Sequence, residues 1–190
     1  TSPTVVASHG GGICAYNADV TLQNVSVLDN TATYNGGGLA VFGHYDVLSG
    51  TVTKSRLAVR QSTVADNESD NGGGIMTALT DVVLEGSSID GNTATGASGG
   101  LGGGGMLASG QTAIVDSNSG IRNGISGTFG GAISLFALRS ADLYQSRLEG
   151  NTASTAGGAV YANASTVTLT NDLLVNNSAG ANGSALNAIA

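Results

Sequence analysis

The chain reads as all-β: a right-handed, single-stranded parallel β-helix of about seven coils. Three observations predict it. A glycine-rich block ending in an aliphatic residue recurs along the sequence, the apolar residues between blocks alternate with period two, and one asparagine returns in each repeat. The blocks are Gly10-Gly11-Gly12-Ile13, Gly36-Gly37-Gly38-Leu39, Gly72-Gly73-Gly74-Ile75, Gly103-Gly104-Gly105-Met106, Gly130-Gly131-Ala132-Ile133 and Gly157-Gly158-Ala159-Val160, with a weaker copy at Gly183-Ser184-Ala185-Leu186. Their aliphatic residues step by 26, 36, 31, 27, 27 and 26. A period in this range marks one supersecondary unit stacked on copies of itself.

The first coil sets the template with Ile13, Ala15, Val20, Leu22, Val27, Asn30 and Ala32. The sixth repeats it as Val160, Ala162, Val167, Leu169, Leu174, Asn177 and Ala179, always 147 residues on. Doublets such as Ile13-x-Ala15 and Val20-x-Leu22 are strand-like, and Gly, Asn, Asp or Ser between them supplies turns. Each coil is therefore expected to hold three short strands round an aliphatic interior. The second coil fits with Leu39, Val41, Leu57, Val59, Val64 and Asn67 once about 11 residues are looped out. The third fits with Ile75, Val82, Leu84, Ile89, Asn92 and Ala94. The fourth keeps Met106, Ala113, Val115, Ile121 and Asn123, and the fifth Ile133, Leu135, Ala141, Leu143, Leu148 and Asn151. Phe42 to Arg56 and the glycine-rich Gly96 to Gly102 are the expected side loops. Residues 1–190 read as a single β-helix domain, and the start at Thr1 suggests a fragment or processed part of a longer protein.

Asn30, Asn67, Asn92, Asn123, Asn151 and Asn177 form the polar column. Asparagine suits a tight corner, and stacked amides bond to one another up a rod. The glycines admit positive φ at the turn into the strand. A phosphate cradle needs a helix N-terminus behind it, and no helical period follows any block.

Composition narrows the function. The net charge is −7, Lys54 is the only lysine, and Arg56, Arg60, Arg122, Arg139 and Arg147 are scattered. Nucleic acid is not an expected partner without a concentrated basic footprint. No apolar run reaches the roughly 18 residues of a spanning helix, so membrane insertion is not expected either. Cys14 stands alone, is expected to be a small unreactive residue, and excludes an intrachain disulfide.

The glycine-glycine-small-aliphatic tetrad resembles the repeats of chlamydial polymorphic outer-membrane proteins. Their Phe-x-x-Asn motif is approximated by Val27-Leu28-Asp29-Asn30, Val64-Ala65-Asp66-Asn67, Ile89-Asp90-Gly91-Asn92 and Leu148-Glu149-Gly150-Asn151, with Leu174 and Asn177 in the sixth coil and an aliphatic residue in the Phe slot throughout. More broadly the chain is similar to bacterial extracellular right-handed β-helix proteins over residues 8–190. That resemblance implies an autotransporter passenger-like or surface domain, extracellular or on the cell surface, often adhesive and sometimes polysaccharide-active.

Strand alternation supplies the candidate site. With Ile13 and Ala15 inward, Cys14 and Tyr16 point outward, and so do their counterparts up the first face. Tyr16, Phe42, Met76, Leu107, Phe136 and Tyr161 then form an apolar stripe, which marks a binding surface unless a side loop such as Phe42 to Arg56 covers it. The stripe suits a glycan, or a host or neighbour-cell protein. His44, Tyr45 and Asp46, in the longest insertion beside Lys54 and Arg56, form a candidate side-loop site.

No cofactor or metal is expected. Asp29, Asp66 and Asp90 are weighed for Ca²⁺ through oxygen ligands, with ordinary turn formation as the competing reading. The leading expectation is a non-catalytic module for adhesion or surface structure. The alternatives are a polysaccharide lyase or epimerase and a module self-associating end to end, since Thr4-Val5-Val6 and Leu186 to Ile189 both remain strand-like.

Overall fold

In the computed structural model, which describes residues 7–97, 99–110 and 113–190, parallel strands stack coil on coil with no helix among the described residues. The expected Thr4-Val5-Val6 strand lies outside those residues. The first face pairs Ile13–Tyr16, Leu39–Phe42, Ile75–Ala78, Met106–Ser109, Ile133–Phe136, Val160–Asn163 and Leu186–Ile189 in sequence order. The second and third faces hold six strands each, running from Val20–Gln23 to Val167–Thr170 and from Ser26–Leu28 to Leu173–Val175. The stack is therefore a parallel β-solenoid of about six turns rather than seven, because the last repeat contributes only its first-face strand.

Each coil also carries a short fourth strand that the doublet pattern did not separate. Glu68–Ser69, Thr93–Ala94, Ile125–Ser126, Thr152–Ala153 and Ser178–Ala179 pair for two residues before the chain bends into the next glycine block. Gly36 shows why the block is glycine. Its φ is +62°, and a Cβ there would collide with the Leu39 carbonyl oxygen. The block's amides are also spoken for: Gly36 donates to the Asn71 carbonyl at 2.9 Å and Gly38 to that of Gly74 at 3.0 Å, in the next coil.

Inside the rod run aliphatic columns. Leu39, Ile75, Met106, Ile133 and Val160 lie in register on the first face and are buried, as are Leu57 and Val82 on the second and Val64, Ile89, Ile121 and Leu148 on the third. Removing such surface from water stabilises by about 25 cal/mol per Å² and supplies the main driving force.

The asparagine column is present with one correction. Asn67 is buried; its Nδ2 donates to Asn92 Oδ1 at 3.0 Å, and its Oδ1 accepts both the amide and the Nδ2 of Asn30. Asn151 Nδ2 donates likewise to Asn177 Oδ1 at 2.9 Å. Asn123 is not a rung. It sits at φ +50°, exposed, in the left-handed position that Asp29, Asp66 and Asn176 occupy in other coils. Gly124 takes the ladder place instead, and its amide donates to Asn151 Oδ1 at 2.9 Å.

A second polar ladder lies at the corner between the second and third faces, formed by buried Ser62, Ser87, Ser119 and Ser146. The Ser62 and Ser87 amides each donate at 3.3 Å to the serine hydroxyl of the coil above. These hydroxyls satisfy backbone groups that the corner takes out of the strand ladders.

The fourth coil needs a further correction. Asp116, not Val115, lies in register between Leu84 and Leu143, while Ile114 pairs with Val82 and Ala141. Asp116 is wholly buried in a column that is otherwise aliphatic.

Candidate binding face

The outward column of the first face is in the expected register: Cys14, Ala40, Met76, Leu107, Ser134 and Tyr161 lie side by side, and so do Tyr16, Phe42, Ala78, Ser109, Phe136 and Asn163. Its exposure is not uniform. Tyr16 is 60% exposed and Phe42 and Phe136 partly so, whereas Met76, Leu107 and Tyr161 are buried at 8%, 0% and 4%.

The cover over the middle is the glycine-rich insertion rather than the Phe42 to Arg56 loop. Leu101 is pinned over this face from both sides. Its amide donates to Asn71 Oδ1 at 2.7 Å, and its carbonyl accepts the Ser134 hydroxyl at 2.7 Å. Thr128 Oγ1 holds the Gly100 carbonyl at 2.8 Å. Next to this cover, Phe129 stacks on Tyr161 with centroids 4.4 Å apart, and Phe136 tilts against the same ring at 5.5 Å.

At the N-terminal end the face is open. Tyr16 stacks on Phe42 at 5.0 Å, and His9 lies 5.8 Å from Phe42, 6.2 Å from Tyr34 and 6.5 Å from Tyr16. His9 Nδ1 and Asn35 Nδ2 are 2.9 Å apart, which orients the imidazole. Tyr34 is 51% exposed. Desolvation, and then the neighbouring Cys14, raise the Tyr16 pKa above its usual value. Cys14 itself is a free, exposed thiol.

Between this cluster and the Leu101 cover lies a cleft of about 350 Å³. Leu101 and the edge of Met76 line it as apolar surface over buried Leu107, His9 and Tyr34 flank it, and Asn35, Asn71 and Asp70 supply polar groups. An apolar surface with a few placed polar groups is how small-ligand sites are built. A second cleft, of about 370 Å³, lies by Asp19, Lys54, Arg56 and Asp81. Three of those charges already have partners: Lys54 Nζ meets Asp81 Oδ1 at 2.9 Å, and Asp19 Oδ1 accepts the Arg56 backbone amide at 2.8 Å.

The side-loop residues are brought together as a hairpin. His44, Tyr45 and Asp46 pair antiparallel with Thr53, Val52 and Thr51. Asp46 is engaged in its own turn, accepting the Leu48 amide at 2.9 Å and the Ser49 hydroxyl at 2.7 Å. Those bonds, the Ser49 hydroxyl first, lower its pKa. Asp29 and Asp66 sit in left-handed corner conformations, and Asp90 Oδ1 accepts Asn123 Nδ2 at 2.8 Å. Among the described residues no three His, Cys, Asp or Glu side chains converge as a metal cluster.

Sequence reasoning missed His9 and Tyr34 as parts of the open site and Phe129 and Leu101 as parts of the closed one. A readable signal existed for three of them. His9 and Phe129 immediately precede a glycine block, and Tyr34 stands two residues before one. Comparison with protein-family models, curated proteins and solved structures finds no match.

Proposed function

We propose that this chain is the binding module of an extracellular or cell-surface β-helix protein and takes a neutral glycan on the open end of its first face. The observation carrying the reading is the exposed ring cluster of His9, Tyr16, Tyr34 and Phe42 beside a cleft with amide side chains. Aromatic faces offer flat apolar area to the C–H faces of a sugar, and Asn35 and Asn71 offer donors and acceptors to its hydroxyls. The cleft lining holds one carboxylate, Asp70, and no lysine or arginine, which favours neutral over acidic sugars. It also favours binding over hydrolysis, since glycoside hydrolysis uses a pair of carboxylates. The likeness of the glycine tetrads to chlamydial polymorphic outer-membrane repeats supports a surface setting.

The test is a glycan array followed by calorimetry on the strongest neutral ligand. Tyr16→Ala and Tyr34→Ala are each expected to weaken binding roughly tenfold. Absence of any neutral-glycan binding, or binding untouched in the double variant, overturns the reading. A protein partner is the second reading, favoured by Val47 and Leu48, which stand 78% and 95% exposed at the tip of the Asp46-locked hairpin.

A further inference from the structure

The aliphatic column of the second face is interrupted once. Leu22, Val59, Leu84, Leu143 and Leu169 fill the same inward register position in five coils, and in the fourth it holds Asp116. The carboxyl group is completely buried, with no backbone amide and no charged side chain bonded to either oxygen. An ionised carboxylate without a counter-charge in such a place is strongly disfavoured, which shifts the balance toward the protonated form.

The surroundings offer no counter-charge. Ser119 and Ser146 are the nearby hydroxyls, and each is directed at a backbone carbonyl, that of Ser117 at 3.3 Å and that of Tyr144 at 3.2 Å. Beyond Ser146 stands Asp172, a like charge whose oxygens accept the Ser146 and Thr170 amides, both at 2.7 Å. Arg122 of the same coil and Arg147 of the next turn toward Glu149, at 3.8 and 2.6 Å. Burial raises the Asp116 pKa; the two serine hydroxyls oppose that shift and Asp172 adds to it.

The same coil is irregular elsewhere. Its ladder place is Gly124 rather than asparagine, so it lacks the side-chain amide that ties the other coils together. It also follows directly on the Leu101 cover and contributes Leu107 beneath it.

We infer that the fourth coil is an acid-stabilised joint in the rod, closed while Asp116 carries its proton and loosened when it ionises. The sign follows from linkage. A carboxyl whose folded-state value lies above its unfolded value stabilises fully below the unfolded value, about 3.9, and loses that contribution as pH rises through the folded value. Opening exposes Asp116 to water, so each opening event releases a proton within that window.

Amide hydrogen exchange across pH, corrected for intrinsic rates, tests this on the whole chain. The probes are the Asn118 and Gly120 amides, which bond to Tyr144 and Ser87 at 3.1 and 2.9 Å, with the Asp66 amide on the Asp90 carbonyl as a reference in the second coil. In the unmodified chain the opening constant at Asn118 and Gly120 is expected to grow by up to about tenfold per pH unit above the ordinary carboxylate range, then level off. Asp116→Asn keeps the shape without the proton and should flatten that slope. Asp116→Leu should flatten it and also slow opening at neutral pH. A slope that persists in Asp116→Asn, or protection that rises with pH in the unmodified chain, overturns the inference. If Asp116→Leu misfolds, the asparagine variant still decides.

Discussion

The two ends of the first face carry similar aromatic groups to opposite fates. Tyr16 and Phe42 stack in the open, near His9 and Tyr34, while Phe129 and Phe136 pack on Tyr161, which is only 4% exposed. Backbone register separates them in part: Tyr16, Phe42 and Phe136 share one outward column, while Tyr161 lies in the other, in line with Met76, Leu107 and Ser134. The insertions add a second difference. Gly99 to Gly102 lays Leu101 across the middle coils, whereas the Phe42 to Arg56 insertion forms a hairpin whose tip, Val47 and Leu48, stays in solvent. In this solenoid the repeat thus sets the column in which a ring sits, and column and insertion together set how far it is buried.

The sharpest way to break this contrast is to delete one ring at each end. Tyr161→Ala is expected to cost about 3–5 kcal/mol, the usual penalty for emptying a buried aromatic site. Tyr16→Ala, on exposed surface, should stay within about 0.5 kcal/mol. Denaturant unfolding of both variants measures the pair. Equal losses would mean that the open cluster is as much a part of the core as the closed one.

A smaller effect sharpens the comparison by loosening the cover alone. Ser134→Ala removes the hydroxyl that donates to the Leu101 carbonyl and should cost about 1 kcal/mol or less, because that carbonyl can turn to water. The informative readout is Met76, which lines the cleft. Its oxidation by dilute peroxide should speed up in the variant. An unchanged rate would show that the Asn71 and Thr128 bonds hold the loop without Ser134.

How much of this was legible depends on what each residue can do. A glycine block whose Cβ positions are sterically forbidden admits one reading, so the first-face register followed directly from the sequence. Asn123-Gly124 was misread because Asn and Gly both tolerate the left-handed corner, and only the coil-to-coil hydrogen bond to Gly124 shows which residue occupies the ladder. Val115 was preferred over Asp116 because apolar residues are expected inside, a rule that holds in the other coils of that column. The serine ladder went unread because serine is ordinary in turns and its stacking depends on three-dimensional register. The fate of the stripe was illegible for a related reason: nothing local to Met76 or Leu107 records that a loop after the third coil closes over them.

The smallest effect concerns the insertion that stays open. Asp46 holds the hairpin turn through the Leu48 amide and the Ser49 hydroxyl, and these bonds lower its pKa. A depressed carboxyl contributes order above its unfolded value and loses it as pH falls through the folded one, the reverse of Asp116. Acidification below about pH 4 should therefore loosen the hairpin tip while leaving the fourth coil at its tightest. The Gly50 amide, bonded to the Asp46 carbonyl at 2.8 Å, reports this directly by exchange or chemical shift. Asp46→Asn should loosen the tip at neutral pH and remove its acid dependence. Because Asp46 sits half-buried on a hairpin that projects into solvent, which screens it, the change stays local, and the rod's unfolding midpoint should not move. A midpoint that did move would mean that the hairpin is bound into the solenoid, and the contrast between open and covered insertions would fail at its exposed end.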